Sequence, residues 1–350
     1  METEIYDFTE GWQPSQMIHA GELLRSGQLV AFPTETVYGL GGSAVDERAA
    51  AAIYASKGRP SDNPLIVHIS HREMLAQVAE DVPQVAYQLM DRFWPGPLTM
   101  IFKKKPRIPD TMTGGLNTVG VRMPDHKVAL ALIDAAGVPI VAPSANLSGK
   151  PSPTTAQHVY DDLHGRIPLI LDGGACREGV ESTVLDLSEG HCVILRPGVI
   201  TYEMLLPFLP DLIAPTLQDP QPAVNIPKAP GMKYTHYAPK APVILYSGSR
   251  EAVCKRMIED AIAARKRGEK IGVIMTQYQF SAPADLVFDL SAAEEARMLH
   301  RTAQHLFECF RACDDAGVNR ILLQGVTEKE LGRAVMNRMV KAAKEWICLE

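Results

Sequence analysis

The stretch Ser56-Lys57-Gly58-Arg59-Pro60-Ser61-Asp62-Asn63-Pro64, followed by Leu65-Ile66-Val67-His68-Ile69, joins a helix to a strand. Asp46 is a suitable N-cap for the alanine-rich segment 47–56, and Gly58 is typical of the residue that ends a helix. Pro60 and Pro64 cannot continue that helix, and the apolar run 65–69 predicts a buried strand. The stretch therefore predicts an α/β fold in which a helix leads through a stiff loop into a sheet.

Lys57 and Arg59 stand on either side of the glycine in this loop. An ammonium and a guanidinium held this close suit a polyanion such as a triphosphate. The alternative is an ordinary helix C-terminus, where lysine and arginine often interact favourably with the helix dipole. These residues alone leave both interpretations open.

The first 200 residues repeatedly place a polar segment next to a predicted strand. The apolar run 29–32 precedes the hydroxyls of Thr34, Thr36 and Tyr38, and the run 139–142 precedes Ser144 and Asn146. Because ligands of open α/β sheets collect beyond the carboxyl ends of the strands, we expect these groups to share one cleft. The residues expected there are Thr36, Lys57, Arg59, Arg122, Ser144, Asn146, Ser182 and Arg196.

The chemistry of this cleft follows from its residue types. Arg122 lies in an otherwise apolar strand, where its charge needs a partner, either a structural ion pair or a bound carboxylate. Four cations with hydroxyls and no convergent set of metal ligands indicate a nucleotide and a small carboxylate. The sequence has neither the P-loop pattern GxxxxGK[ST] nor a clear GxGxxG after a strand, so the nucleotide must be held in another way.

The composition sets limits on the class of protein. At 350 residues the chain is long enough for about two domains, and its net charge of −6 means that any RNA contact must be local. No apolar run approaches the ~20 residues of a membrane span, and the acidic start lacks the pattern of a signal peptide. The six cysteines show no framework spacing, so we expect reduced thiols and a cytoplasmic location.

A proline-rich segment divides the chain. Residues 207–242 hold nine of the 26 prolines, which predicts an extended linker, and the aromatic and basic segment 230–239 within it is expected to fold back as a lid over the nucleotide. Beyond it, strands and helices alternate and predict a smaller Rossmann-like α/β domain with no phosphate fingerprint and a docking or regulatory role. The predicted boundaries are 1–208, 209–241 and 242–350.

Several motifs together resemble one family. The KxR pair of Lys57 and Arg59 with Ser144 and Asn146, the segment 33–40 (PTETVYGL), the segment 121–124 (VRMP) and the segment 142–146 (APSAN) resemble the YrdC/Sua5 family in its long, two-domain form. The resemblance implies a twisted mixed sheet, flanked by helices, with a concave ligand cleft. It also implies an L-threonylcarbamoyladenylate synthase, a nucleotidyltransferase that condenses L-threonine, bicarbonate and ATP into threonylcarbamoyl-AMP and pyrophosphate for the t6A modification of tRNA.

The resemblance also implies residue roles. The threonine contacts would be Thr36, His68, Arg122, Ala142 through its backbone, and Ser182. The ATP contacts would be Arg59, Asn63, Thr118, Ser144, Ser152, Arg196 and Tyr237. Lys57, with Arg59, would neutralise phosphate charge during transfer, and Mg2+ would sit mainly on phosphate oxygens and water rather than on a protein site. The product would pass to a tRNA threonylcarbamoyl transferase complex.

Two other functions remain open at this point. An RNA-binding module would show tight, salt-sensitive RNA binding without threonine-dependent ATP turnover. A carbamoyl transferase that uses carbamoyl phosphate would be indifferent to threonine.

Overall fold

A computed structural model describes residues 1–213, 227–230, 237–277 and 281–349. The chain forms two compact units, one of residues 1–148 with 152–234 and the other of residues 149–151 with 235–350. The division at residue 234 falls inside the segment predicted as a linker. Residues 231–236, which make up most of the predicted lid, lie outside the described part of the chain.

The first unit is a mixed sheet with helices. Its strands are β1 (Glu4–Asp7), β2 (Val30–Phe32), β3 (Gly39–Ser43), β4 (Ile66–His68), β5 (Ala79–Glu80), β6 (Leu98–Lys104), β7 (Thr118–Arg122), β8 (Ile140–Val141), β9 (Leu169–Asp172), β10 (Thr183–Asp186) and β11 (Val193–Arg196). Its helices are α1 (Pro14–Arg25), α2 (Glu47–Lys57), α3 (Leu75–Val78), α4 (Gln84–Phe93), α5 (Asp110–Thr113), α6 (Lys127–Ala136), α7 (Ala156–Leu163) and α8 (Tyr202–Leu205), with a 3-10 turn at Arg72–Met74.

The strand order in this sheet is β1-β9-β2-β3-β8-β4-β7-β6-β10-β11, with β5 paired to β6. Neighbours β2 and β3, β3 and β8, β8 and β4, β7 and β6, and β10 and β11 are antiparallel, whereas β4 and β7, and β6 and β10, are parallel. The predicted mixed sheet is therefore confirmed.

The helix α2 forms as its sequence predicts. The Asp46 side chain accepts a hydrogen bond from the Arg48 backbone N–H, and Gly58 ends the helix with a φ of +61°. The helix runs one residue further than expected, so Lys57 is its last residue and does not lie on the loop.

The central strands present one face to the hydrophobic core. Val67, Met100, Val119 and Val121 all belong to the main core cluster. Because side chains alternate along a strand, the residues between them point to the opposite face. That face, which we call the site face, carries Ile66, His68, Thr99, Thr118, Gly120 and Arg122.

The second unit contains a parallel sheet of β12 (Val243–Gly248), β13 (Ile271–Met275), β14 (Leu286–Asp289), β15 (Arg320–Gln324) and β16 (Ala343–Leu349), in the order β14-β13-β15-β12-β16. Its helices are α9 (Arg250–Lys266), α10 (Glu295–Asp315) and α11 (Leu331–Ala342). This confirms the predicted Rossmann-like domain. Helix α11 ends at Ala342, because the chain turns at Ala343 into a strand that pairs with β12.

Candidate active site

Strand direction separates the polar residues into two groups. Because β4 and β7 run antiparallel to β8, the carboxyl ends of β4 and β7 lie at the opposite edge of the sheet from the carboxyl end of β8. The carboxyl ends of these strands therefore do not all lie at one edge, but the loop after β2 brings Thr36 to Arg122, and the shared cleft stays a prediction. The site instead extends across the site face, from one edge to the other.

At the edge where β8 ends, Lys57 holds a turn together. The Lys57 ammonium donates hydrogen bonds to the backbone carbonyls of Ser144 and Asn146 and reaches Asn146 Oδ1 at 3.3 Å. The Ser144 hydroxyl also donates to Asn146 Oδ1, at 2.6 Å. Burial and the nearby Arg59 lower the pKa of Lys57 well below its usual value, while the three oxygen acceptors favour the ammonium. The structure thus brings together Lys57, Ser144 and Asn146.

Arg59, Asn63 and Thr118 lie on the same side of the sheet. The Arg59 guanidinium donates to the backbone carbonyls of Asn63 and Pro64, at 3.5 and 3.3 Å. Asn63 Oδ1 is buried, and the described residues offer it no hydrogen-bond donor. Thr118 begins β7, so it marks this end of the site face. Ala142 donates its backbone N–H to Ile66 O at 3.0 Å, which fixes the end of β8 against the start of β4.

At the other edge, Arg122 forms a second cluster. Its Nη1 donates to Thr36 Oγ1 at 2.9 Å, its Nε to Gly96 O at 3.3 Å, and its Nη2 lies 2.6 Å from Glu35 Oε2. Both charged side chains are almost fully buried, with exposures of 5% for Arg122 and 1% for Glu35. The two groups are paired by charge rather than by an aligned hydrogen bond. The buried Arg122 guanidinium is therefore in a structural ion pair with Glu35, and two hydrogen bonds hold it in place.

His68 lies beside Arg122, because the two residues are register partners in β4 and β7. Its Nδ1 is 3.1 Å from Ile66 O, and its ring packs edge-on against Phe32. Burial and the Arg122 charge lower the pKa of His68 to about 3, so the imidazole is neutral at physiological pH.

Ser182 and Arg196 form a third cluster next to Arg122. Arg196 donates to the Ser182 backbone carbonyl at 3.0 Å and to its hydroxyl at 3.1 Å, and that hydroxyl lies 2.8 Å from Thr99 Oγ1. Ser182 precedes β10 and Arg196 ends the antiparallel β11, so both lie at the edge where β7 ends.

Two predicted ATP contacts have other partners in the structure. The Ser152 hydroxyl donates to Glu181 Oε1 at 2.5 Å. Tyr237 belongs to the second unit, where its ring stacks on Phe307 with centroids 5.3 Å apart and lies 5.8 Å from the Arg338 guanidinium. The ATP role of both residues stays a prediction.

Sequence reasoning missed three polar residues of the site: Glu35, Thr99 and Glu181. Glu35 stands between Thr34 and Thr36 in a motif that was noted for its hydroxyls and glycines. A buried arginine in an apolar strand needs a counter-charge, so Arg122 predicts a carboxylate partner. Nothing in the sequence shows which of the 41 acidic residues supplies it.

The described residues lack two further features, a metal-binding cluster and a membrane-spanning helix. They contain no group of three or more histidine, cysteine, aspartate or glutamate side chains arranged to hold a metal ion. None of their helices is long and apolar enough to cross a membrane.

Comparison with known proteins identifies the family. The model of the Sua5/YciO/YrdC family, described as "Telomere recombination", matches residues 22–198, and the model described as "Threonylcarbamoyl-AMP synthase, C-terminal domain" matches residues 200–344. A threonylcarbamoyl-AMP synthase of Pyrococcus abyssi is 50% identical over 93% of each chain. One of Bacillus subtilis is 45% identical over 94% of this chain and 93% of its own.

A solved structure agrees with these matches. The crystal structure of P. abyssi Sua5 complexed with L-threonine has a TM-score of 0.93, with 45% identity, and the match covers 99% of this chain and 100% of that one. The chain combines a mixed sheet that carries buried cations with a separate parallel α/β domain, and its fold matches that of the solved structure. The chain belongs to the Sua5/YrdC family of threonylcarbamoyl-AMP synthases, in its two-domain form. This confirms the family, fold and function predicted from the sequence motifs.

Proposed function

We propose that this chain condenses L-threonine, bicarbonate and ATP into threonylcarbamoyl-AMP and pyrophosphate, as a nucleotidyltransferase. The observation that supports it best is the separation of two polar clusters along β7. Thr118 and Arg122 begin and end this strand on one face, and four residues of strand span about 13 Å. That distance suits two joined substrates, an amino acid at one end and a nucleotide at the other.

The Arg122 end suits the amino acid. A guanidinium recognises a carboxylate, and the Thr36 hydroxyl fixes its orientation at 2.9 Å. The neutral His68 imidazole can accept or donate a hydrogen bond without adding a second charge beside Arg122. Ser182 lies at the same edge, so its hydroxyl is available to the same ligand.

The Lys57 end suits the nucleotide. Lys57 fixes the Ser144–Asn146 turn by its ammonium, so this turn is held in shape before a ligand arrives. The Ser144 hydroxyl, the Asn63 amide and the Arg59 guanidinium are the groups that we assign to ATP there. In this proposal Lys57 acts mainly by positioning the turn and Arg59 by contacting the phosphates.

The chemistry needs positioning and charge stabilisation more than a protein nucleophile. The threonine amine adds to CO2 derived from bicarbonate and loses a proton, which gives a carbamate. A carbamate oxygen then attacks the α-phosphorus of ATP, and the bond to pyrophosphate breaks. The fixed cations stabilise the negative charge that develops on the phosphates, and in-line alignment lowers the entropic part of the barrier. Mg2+ carried on the phosphates would supply further charge neutralisation.

The test is pyrophosphate release from ATP by the purified full chain, with threonine or bicarbonate omitted in turn. We expect release that requires both substrates and falls at least a hundredfold in Arg59→Ala, a loss typical of removing one group that stabilises developing charge. Asp91→Asn, a charge change at an exposed helix position, is the matched control and should retain full release. Release that is indifferent to threonine would overturn the proposal and favour the carbamoyl transferase; no release, with salt-sensitive RNA binding, would favour the RNA-binding module.

Three further predictions from the sequence belong to this proposal and stay predictions. They are the transfer of the product to a tRNA-modifying complex, the lid role of residues 230–239, and the cytoplasmic location. The six cysteines are all present as free thiols in the structure, which is compatible with that location.

A further inference from the structure

The second unit contains a polar cavity of about 200 Å³. It lies where β12 and β15 end, and its lining includes Tyr246 and Ser247 of β12, Arg250 of α9, and Gln324 and Thr327 at and beyond the end of β15. None of these groups takes part in the function proposed above, and this domain carries no phosphate-binding fingerprint in its sequence.

The topology of the sheet makes this position a binding crevice. β12 and β15 are neighbours, but the chain leaves β12 through α9 toward β13 and leaves β15 through α11 toward β16, in opposite directions along the sheet. Since such crossovers are right-handed, the two helices cover opposite faces of the sheet, and α11 packs against α10. A crevice therefore opens between the two strand ends, at the kind of switch point where open α/β sheets bind ligands.

Gln324 points a hydrogen-bond donor at this cavity. Its side-chain oxygen accepts the backbone N–H groups of Thr276 and Gln277, at 3.0 and 3.1 Å. Because backbone N–H groups only donate, the amide cannot be flipped, and its Nε2 must face away from them. Gln324 is only 4% exposed, it lines the cavity, and within the described part of the chain its Nε2 meets no acceptor. The Gln324 amide group therefore offers a donor to the cavity, where a ligand or water can accept its hydrogen bond.

The remaining lining favours an anion. Arg250 contributes a guanidinium that is anchored at 3.3 Å to Gln277 O, and it begins the 17-residue helix α9, whose first N–H groups and dipole attract negative charge. Thr327 adds a hydroxyl. None of the ten residues that line the cavity is an aspartate or a glutamate.

We propose that this cavity is a second ligand site, which binds a phosphate group, either free or at the end of a nucleotide. Its volume equals that of about six or seven water molecules, which leaves room for one phosphate and part of an attached group. The Gln324 amide and the Arg250 guanidinium would both donate to the phosphate oxygens. The proposal concerns the second unit and does not depend on the reaction assigned to the first.

The test measures ligand binding by the NMR signal of the Trp346 indole. Its indole Nε1 donates at 2.7 Å to Ser247 Oγ, so it reports on a residue of the cavity wall. The chain has three tryptophans, and the indole signals of Trp12 and Trp94 in the first unit serve as internal references. The full chain, carrying Arg59→Ala to weaken nucleotide binding in the first unit, is titrated with inorganic phosphate, pyrophosphate and AMP by 1H–15N NMR. We expect a saturable shift of the Trp346 signal with at least one of them.

Gln324→Glu is the decisive variant. A glutamate keeps the oxygen that holds Thr276 and Gln277, but it removes the amide donor and repels an anion, so the affinity should fall about tenfold or more. Gln304→Glu makes the same charge change on α10, outside the cavity lining, and should bind as the parent does. Arg250→Gln, at an exposed position, gives a second weakened variant if Gln324→Glu does not fold.

The relative affinities for phosphate and AMP show which part of a nucleotide the cavity recognises. Equal affinity for phosphate and AMP means that the phosphate alone is recognised, whereas tighter binding of AMP means that the nucleoside also contacts the cavity. The proposal is overturned if none of the three ligands moves the Trp346 signal, or if the folded Gln324→Glu and Arg250→Gln variants bind as tightly as the parent.

Discussion

The buried pair of Glu35 and Arg122 gives the sharpest prediction. Glu35→Gln keeps the shape of the side chain and removes its charge, which leaves the Arg122 guanidinium buried with hydrogen bonds to the Thr36 hydroxyl and the Gly96 carbonyl but without a counter-charge from residue 35. Breaking a buried ion pair from one side costs about 3–5 kcal/mol. At about 2–4 °C per kcal/mol for a unit of this size, the unfolding midpoint should fall by about 6–20 °C.

The assay is thermal unfolding of the full chain, followed by near-UV circular dichroism, with and without saturating L-threonine. The control is Asp91→Asn, which breaks the exposed pair of Asp91 and Arg72 and should cost less than about 1 kcal/mol. If the threonine carboxylate binds Arg122, threonine restores the missing negative charge and should stabilise Glu35→Gln more than the parent. A loss of stability no larger than that of Asp91→Asn would mean that Glu35 does not balance the Arg122 charge.

Three further predictions follow from the same site. Because the pKa of His68 is lowered to about 3, the unfolded chain binds a proton at this residue at a higher pH than the folded chain does. The neutral imidazole therefore contributes its full stability above about pH 6.5, and this contribution is lost as the pH falls from there to 3. The free energy of unfolding, measured with denaturant from pH 7 to pH 4, should therefore depend less steeply on pH in His68→Asn than in the parent, by up to about 1 kcal/mol per pH unit. Identical slopes in the two proteins would contradict this prediction. Lys57→Met leaves the buried carbonyls of the Ser144–Asn146 turn without their donor. It should lower the free energy of unfolding in urea by about 1–3 kcal/mol and raise the KM for ATP. An unchanged stability would show that the turn does not need the ammonium. Ser182→Ala should raise the KM for threonine and cost about 1 kcal/mol, with Thr99→Val, which removes the same hydrogen bond from the other side, as the matched variant. A KM for threonine that rises equally in both would assign Ser182 a structural role only.

Local sequence determined much of the secondary structure. Helix α2 begins at Glu47, after the Asp46 cap, and Gly58 follows its last residue, because capping and helix-breaking chemistry act within a few residues. The strand β3 was missed, since Gly-Leu-Gly-Gly-Ser has few of the residues that favour strands. Tertiary packing explains its glycines: a Cβ at Gly42 would lie 2.9 Å from the Ala49 Cβ.

The motifs around Lys57, Arg59, Ser144 and Asn146 were enough to predict the family, and the apolar strand around Arg122 was enough to predict that its charge needs a partner. The folded chain is needed to see that this partner is Glu35, that Lys57 holds the Ser144–Asn146 turn, and that β8 ends at the opposite edge of the sheet from β4 and β7. The physical reason is that composition and spacing fix what each segment becomes, whereas strand direction and register fix which segments meet. A strand that pairs antiparallel to its neighbour sends its last residue to the far edge, and no local pattern in a three-residue strand such as β4 reports that direction.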